Sequence, residues 1–520
     1  MTWKADGPQG NEAMKVRFDL VPYARGRAID LGCGEPKVFP SFLGVDNCKD
    51  NLLFGARIKP DMAVDTVERL PIFSDGSFDC AFSSHTLEHI EDHKATLAEW
   101  WRLVKVGGTL ILYLPHADHY PRIGQSGANP DHKHDFTPDD IIAAMQDVAD
   151  LSGTGWDLVV NETRTQHDEY SFLQVYRKSA DPVLVHSYNA PKPAKTLALV
   201  RLGAFGDALW LSSVLPALKA QGYHITVYTQ DQGELVLRHD PHVDRIITMP
   251  DYLFTEINLV AYWLHEQTKY DRFINLVGSV ESRLLPTPKD FEFYWSDEVR
   301  QRVMNVNYLQ TVHDWCGVPY EPRVKFHPTG EEQRTAAAAR ARLPGPVVVL
   351  NPSGSGQFKW WPHAQALIDR LDAAGVAVVV LGDTPGKPLV APSNRVWLIG
   401  KAWPMRQALA FAQLADVVVG TESAIVNAVS FEPMLKLVLL SHSSQDNLTR
   451  DWPETISFST KGLACHPCHR IHQTMDFCTQ DGKSLAAACQ ASVTAESVAE
   501  QVLAYLAWKA EQSQPEAVAA

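Results

Sequence analysis

No stretch of the 520 residues is apolar for long enough to span a bilayer, and the opening MTWKADGPQG lacks the apolar segment of a secretory signal. These two absences predict a cytoplasmic chain with no transmembrane segment, leaving only peripheral contact with the inner membrane surface. A basic excess is missing too. Lys and Arg total 47 against 61 Asp and Glu, a formal net charge of −14, which argues against nucleic acid as a partner. Cysteine is scarce: 8 residues in 520 do not make a disulfide scaffold. No internal repeat is found, although strand–loop–helix units recur along the chain.

What is present is an ordinary soluble composition, 45% hydrophobic and 21% charged, in a chain too long for one core. KSADPVLVHSYNAPKPAK, rich in Pro, Ala and polar residues, predicts a linker over 181–195, and HPTGEEQRTAAAARARLPGP marks a second connection over 327–346. The expected organisation is one α/β domain over 1–180, a second over 196–335, a third over 346–508 and a flexible tail over 509–520.

In RAIDLGCGEPKVFPSFLGVDNC, Ala28 to Leu31 read as a strand, GCGEP as its turn, and FLGVD as a second strand ending on Asp46. Gly32 and Gly34 let backbone approach a ligand, and a carboxylate ending the next strand suits a ribose diol. The third glycine of the dinucleotide fingerprint is absent, with Lys37 in its place, which lowers the case for NAD. Further on, AVDTVERLPIFSDGSFDCAFSSHTLEHI and LVKVGGTLILYLPH continue the pattern. Over most of residues 25–180 the chain resembles the class I S-adenosylmethionine-dependent methyltransferases of the small-molecule type. The resemblance implies S-adenosyl-L-methionine as methyl donor. Asp30, Gly32 and Gly34 would hold its methionine end and adjoining ribose, Asp46 the ribose hydroxyls and Asp65 the adenine side, with Ser83 also assigned to the cofactor. A sulfonium is already electrophilic, so such a site mainly aligns the acceptor. His85, His89, His116, His119, His132 and His134 gather in two segments; they are read as acceptor-side polar residues rather than a metal site, with His116, just past the fifth strand, as the candidate base.

KTLALVRLGAFGDALWLSSVLPALKA, residues 195–220, is again strand, glycine loop, helix. With HITVYT and HDPHVDRII after it, and NPSGSGQFKWWP, VAVVVLGD and LADVVVGTESAIVNAVSFEP later, it resembles the family 9 glycosyltransferases, the lipopolysaccharide heptosyltransferase group, over roughly residues 196–505. The resemblance implies a GT-B architecture: two Rossmann-like domains facing across a cleft. The expected fold class is therefore α/β throughout, a Rossmann-like methyltransferase domain followed by a GT-B glycosyltransferase. It also implies a nucleotide sugar as donor, a glycan or glycolipid acceptor, and Asp207 as the base that takes the acceptor proton. By position alone, Asp207 at a helix entrance also suits a cap.

Such transferases stabilise the departing phosphate with amides and a cation, and the sequence contains no Asp-x-Asp of the metal-using kind. Ser353 and Gly354 form the small-residue phosphate loop and Lys359 is the cation. The family's Asp-Thr/Ser-Gly-x-x-His appears as ESAIVN: Glu422 replaces the acid, Ser423 keeps the hydroxyl, and Asn427 stands for the histidine, so the donor contacts are altered. Cys465, Cys468, Cys478 and Cys489 have partial zinc-like spacing but are read as thiols packed under a loop, and no metal is expected. The combined reading is a bifunctional methyltransferase and metal-independent inverting glycosyltransferase of surface-glycan or lipopolysaccharide synthesis, whose fusion raises the local concentration of one activity near the other's product. Two other readings fit the same motifs: methyl transfer alone beside a degenerate, glycan-binding half, and a non-enzymatic glycan or sugar-nucleotide scaffold.

Overall fold

A computed structural model of the chain describes residues 12–53, 55, 57–384, 388–460 and 462–512. The chain divides into two compact units: one contains the described residues to Pro193 together with Met249–Lys269, the other Ala194–Thr248 and the residues from Tyr270 onward.

The first unit is built on one sheet. Its strands are β1 (Ala28–Leu31), β2 (Leu43–Asp46), β3 (Met62–Ala63), β4 (Phe78–Ser84), β5 (Val104–Pro115), β6 (Gly155–Arg164), β7 (Ser171–Ser179) and β8 (Leu184–Val185), in the order β3-β2-β1-β4-β5-β7-β6-β8. β1 to β5 run parallel, and β7 is antiparallel to both β5 and β6. All four residues of β1 are buried, as a central parallel strand covered on both faces requires. The helix His93–Leu103 starts on Asp92, whose side chain accepts the Ala95 amide, and sends Trp100 and Trp101 into the core. Pro138–Ser152 starts on a Thr137–Asp140 capping box and ends on Gly153 in the left-handed conformation.

Two expectations change here. The stretch 181–195 is not all linker, because β8 adds a parallel edge strand to β6, pairing Leu184 with Trp156. Met249–Lys269 groups with the first unit rather than with the rest of 196–335. The reason is local: the Tyr252 ring packs 4.8 Å from Phe39 and its hydroxyl donates to the Ala24 carbonyl at 2.7 Å. His265 and Lys269 both reach Asp19, at 3.0 and 2.8 Å.

The second unit contains two parallel sheets. The smaller has β9 (Thr196–Val200), β10 (His224–Thr229), β11 (Arg245–Thr248) and β12 (Arg272–Asn275) in the order β11-β10-β9-β12. The larger has β13 (Val347–Asn351), β14 (Ala377–Leu381), β15 (Val396–Gly400), β16 (Val417–Thr421), β17 (Leu435–Leu439) and β18 (Thr455–Phe458) in the order β15-β14-β13-β16-β17-β18. That order is a doubly wound sheet, whose switch point lies between β13 and β16. Continuous apolar runs such as VVVL in β13 and VVV in β16 are fully buried. The expected connection over 327–346 contains the helix Gly330–Arg340, capped by Thr329 and Glu332. The expected tail is helical through Gln512, the end of Ala495–Gln512; residues 513–520 lie outside the described residues.

Candidate functional site

In the first unit the turn after β1 takes the shape its glycines predict. Gly32 has φ +71° and Gly34 φ +56°. A Cβ at Gly32 would come within 2.3 Å of the Thr86 hydroxyl, so the turn after β1 and the loop after β4 touch where only hydrogen fits. Asp46, at the end of β2, accepts the Gly34 amide at 3.1 Å and the Cys48 amide at 2.7 Å. Asp30 is 1% exposed and its carboxyl is pushed up to about 7, chiefly by burial. The Val38 amide, at 3.2 Å, opposes that shift. A buried carboxyl above a glycine turn, next to a second carboxylate at a strand end, fits the ammonium and ribose of S-adenosyl-L-methionine. Asp65 stands exposed beyond β3.

Two expected residues are placed otherwise. Ser83 is 0% exposed, and its hydroxyl donates to the Leu31 carbonyl at 2.9 Å, tying β4 to β1 rather than facing a cofactor. His116 is buried, with Nδ1 accepting the Asp118 amide at 3.1 Å. A neutral imidazole with Nδ1 so engaged carries its proton on Nε2 and has no lone pair left for a base. His119 stays beside His116, their rings 4.8 Å apart, and two further groups form. His93 and His134 meet at 3.4 Å, while His85, His89 and His132 surround Glu88, whose carboxyl burial pushes up to about 8.

The second unit holds a cleft of about 910 Å³ between its two sheets, at the C-terminal ends of the parallel strands. On one wall, β9 leads through Arg201 and Gly203 (φ +127°) into the helix Phe205–Leu209. Asp207 is the third residue of that helix, not its N-cap, and from there accepts the Ala204 amide at 2.9 Å. Arg201, 1% exposed, binds Glu281 through two nitrogens at 2.8 and 2.9 Å, and its Nη2 lies 3.5 Å from Asp207 Oδ1. Burial, and then the charge of Glu281, push the Asp207 carboxyl up to about 7. Glu281, held by the guanidinium, moves the other way. Glu281 carries no local signal; in sequence β10, β11 and β12 separate it from Arg201.

On the facing wall, Lys359 Nζ donates to the Glu422 carbonyl at 3.1 Å, and a Cβ at Gly354 would come within 2.5 Å of the lysine chain. Ser353 donates to the Asp383 carbonyl at 2.7 Å, and Ser423 to Asn351 at 2.5 Å, so both hydroxyl protons are engaged within the protein. Glu422 lines the cleft, but its carboxylate is turned to the residues after β17. It accepts the Ser441 and Ser443 amides at 3.2 and 3.1 Å, the Ser441 hydroxyl at 2.5 Å, and contacts His442 Nδ1. Burial works against that charge, but His442, Lys359 and Ser441 outweigh it and hold the carboxyl below the usual carboxylate range. Glu422, which stands where the resemblance puts a donor-contacting acid, has its carboxylate committed to these protein partners instead. His442 had one positional signal, its place just past an apolar run that ends a parallel strand. Asn427 is 7% exposed with Oδ1 unpartnered, and a Cβ at Gly206 would come within 2.5 Å of its Nδ2, so the two walls nearly touch there. The four late cysteines are all free thiols; Cys468 Sγ lies 3.6 Å from His472 Nε2.

Residues 29–112 match the family model described as "Methyltransferase domain". The N-terminal unit carries a methyltransferase domain. Within the curated proteins, the methyltransferase domain is similar to the ubiquinone biosynthesis O-methyltransferase of Xanthomonas oryzae pv. oryzae, 33% identical over 129 residues, 21% of this chain and 54% of that protein. The chain thus spans about half the length of the curated relatives it matches. Among solved structures, a family 9 glycosyl transferase from Veillonella parvula is 14% identical, covering 61% of this chain and 99% of that one with a TM-score of 0.44. The ADP-heptose lipopolysaccharide heptosyltransferase II of E. coli is 14% identical, over 61% and 99%, with a TM-score of 0.43. The sheets have the α/β class expected of the chain, and in the second unit two parallel sheets flank a cleft.

Proposed function

We propose that the chain joins two transferases: methyl transfer from S-adenosyl-L-methionine to a hydroxyl acceptor in the first unit, and glycosyl transfer from a nucleotide sugar in the second. For the second unit one observation carries the reading. A cleft carboxyl raised to about 7, Asp207, faces a small-residue loop and a lysine across the same cavity. Asp207 takes the proton of an acceptor hydroxyl as that oxygen attacks the anomeric carbon. The bond from that carbon to the nucleoside diphosphate breaks with its electron pair on the phosphate oxygen, and attack from the opposite face inverts the configuration. Lys359 and the loop amides around Ser353 and Gly354 supply positive charge where the phosphate departs, without a metal. Asn427 offers its unpartnered Oδ1 to a sugar hydroxyl. Glu281 and Arg201 set the proton affinity of the base.

In the first unit Gly32 and Gly34 leave the space, Asp46 takes the ribose, and Asp30 meets the ammonium. When bound, S-adenosyl-L-methionine supplies a methyl group on a sulfonium, so the protein's part is chiefly alignment. The relative's printed O-methyltransferase name favours an oxygen acceptor. Work on a surface glycan at the cytoplasmic face of a membrane fits both halves. The test is to incubate the full chain with nucleotide sugars and with labelled S-adenosyl-L-methionine. Nucleoside diphosphate release that needs Asp207, and labelled acceptor that needs Asp46, support both halves; release unaffected by Asp207→Asn removes the glycosyl transfer mechanism.

A further inference from the structure

We propose that Glu88, His89 and His132 bind one divalent transition-metal cation in the methyltransferase unit. Glu88 is 0% exposed, and neither of its carboxylate oxygens has a hydrogen-bond partner. A buried carboxyl in that state is costly and calls for a partner. Around it stand three imidazoles: His85 Nδ1 at 3.7 Å, His132 Nε2 at 3.9 Å and His89 Nε2 at 4.0 Å from Oε1. An ordinary ion pair would bring at least one ring N–H within hydrogen-bond distance, and none is. Two ligands of one tetrahedral ion lie about 3.3 Å apart, so a modest inward shift closes the set around a shared ion. The ligand atoms of Glu88, His89 and His132 already lie within 4.8 Å of one another, the only such set of three among the described residues.

The arrangement is held from outside. The Lys133 and His134 amides donate to the Glu88 carbonyl at 2.7 and 3.2 Å, which brings His132 back to the turn Leu87–His89. The His132 ring packs edge-on against His89 at 4.8 Å and lies tilted against Tyr120 at 5.3 Å. His85 keeps its Nε2 on the Ser171 hydroxyl at 2.9 Å and its Nδ1 3.7 Å from Glu88 Oε1, outside the set of three. One carboxylate with imidazoles suits borderline cations such as Zn²⁺ or Co²⁺, and offers too few oxygens for Ca²⁺ or Mg²⁺. The His89 side chain is 33% exposed and gives the ion its way in, while that of His132 is 4% exposed. The site stands whether or not the unit transfers methyl groups.

The experiment uses the full chain, stripped with chelator and titrated with Co²⁺. We expect one cobalt per chain at this site, with visible d–d bands and no sulfur charge-transfer band. Glu88→Gln and His89→Ala should each lose that cobalt while keeping the circular dichroism of the parent. His89 is partly exposed, so its variant tests the site even if Glu88→Gln misfolds. No cobalt uptake, or uptake undiminished in a folded variant, overturns the proposal. So does cobalt held only by Cys465, Cys468, Cys478 or Cys489, recognised by an intense near-ultraviolet sulfur band that both variants retain.

Discussion

Arg201 grips Glu281 with both terminal nitrogens and stands 3.5 Å from Asp207, so one buried guanidinium serves two carboxylates of opposite pKa shift. The pair behaves as one unit: the carboxylate gripped twice stays ionised, and the other, a quarter exposed to the cleft, takes the proton.

Asp207→Asn should lower glycosyl transfer by roughly 10²–10⁴-fold, the size of a general-base contribution. Asn still accepts the Ala204 amide, so the melting temperature should hardly move, and methyl transfer should continue. Turnover and melting measured side by side separate a base from a helix-end acceptor; an active Asn variant refutes the base.

Glu281→Gln should shift the acid limb of glycosyl transfer to lower pH. Asp207 works only when ionised, and burial and then the Glu281 charge raise it to about 7, so the rate should climb with pH through neutrality. Removing that negative charge lowers the Asp207 value, and the half-rise follows it down. An unmoved pH–rate profile would show that the two carboxylates are not linked.

Glu422→Gln should destabilise the second unit by about 1.5–3 kcal/mol, the scale of hydrogen bonds to a buried charge. The folded carboxyl lies below its ordinary 4.5, so its contribution is complete above that pH and is lost as pH falls toward the folded value. Thermal melts of the parent should therefore drop below about pH 4.5, and the Gln variant should show a flatter acid limb. Equal slopes would count against the assigned role of this carboxylate.

Ser83→Ala should leave S-adenosyl-L-methionine affinity unchanged and cost about 1–3 kcal/mol of stability, because the Leu31 carbonyl loses its buried donor. Asp46→Ala should weaken binding by about 1–3 kcal/mol and loosen the loop whose Gly34 and Cys48 amides it accepts. Calorimetric titration of both variants checks the pair, and weaker binding by the Ser83 variant would return that residue to the cofactor site.

Local chemistry alone determined where the chain turns. The apolar run ending at Leu31, the glycines after it and Asp46 two turns of sequence later are short-range signals, because a parallel strand buried on both faces must be apolar and its exit needs φ > 0. The same holds for β9, its glycine loop and the β13 to β16 strands. Which side a polar residue faces was not legible. Ser83 and Asp207 sit where their motifs put them, yet one hydroxyl points between strands and the other carboxyl lies a turn inside its helix. Only tertiary structure brought Glu281 to Arg201, turned Glu422 onto His442, and enclosed Glu88 among histidines from two loops. Glu281 lies 80 positions from Arg201 and His132 reaches Glu88 from a separate loop, so no local pattern pairs them, and the energies of all these meetings depend on the burial that the completed fold creates.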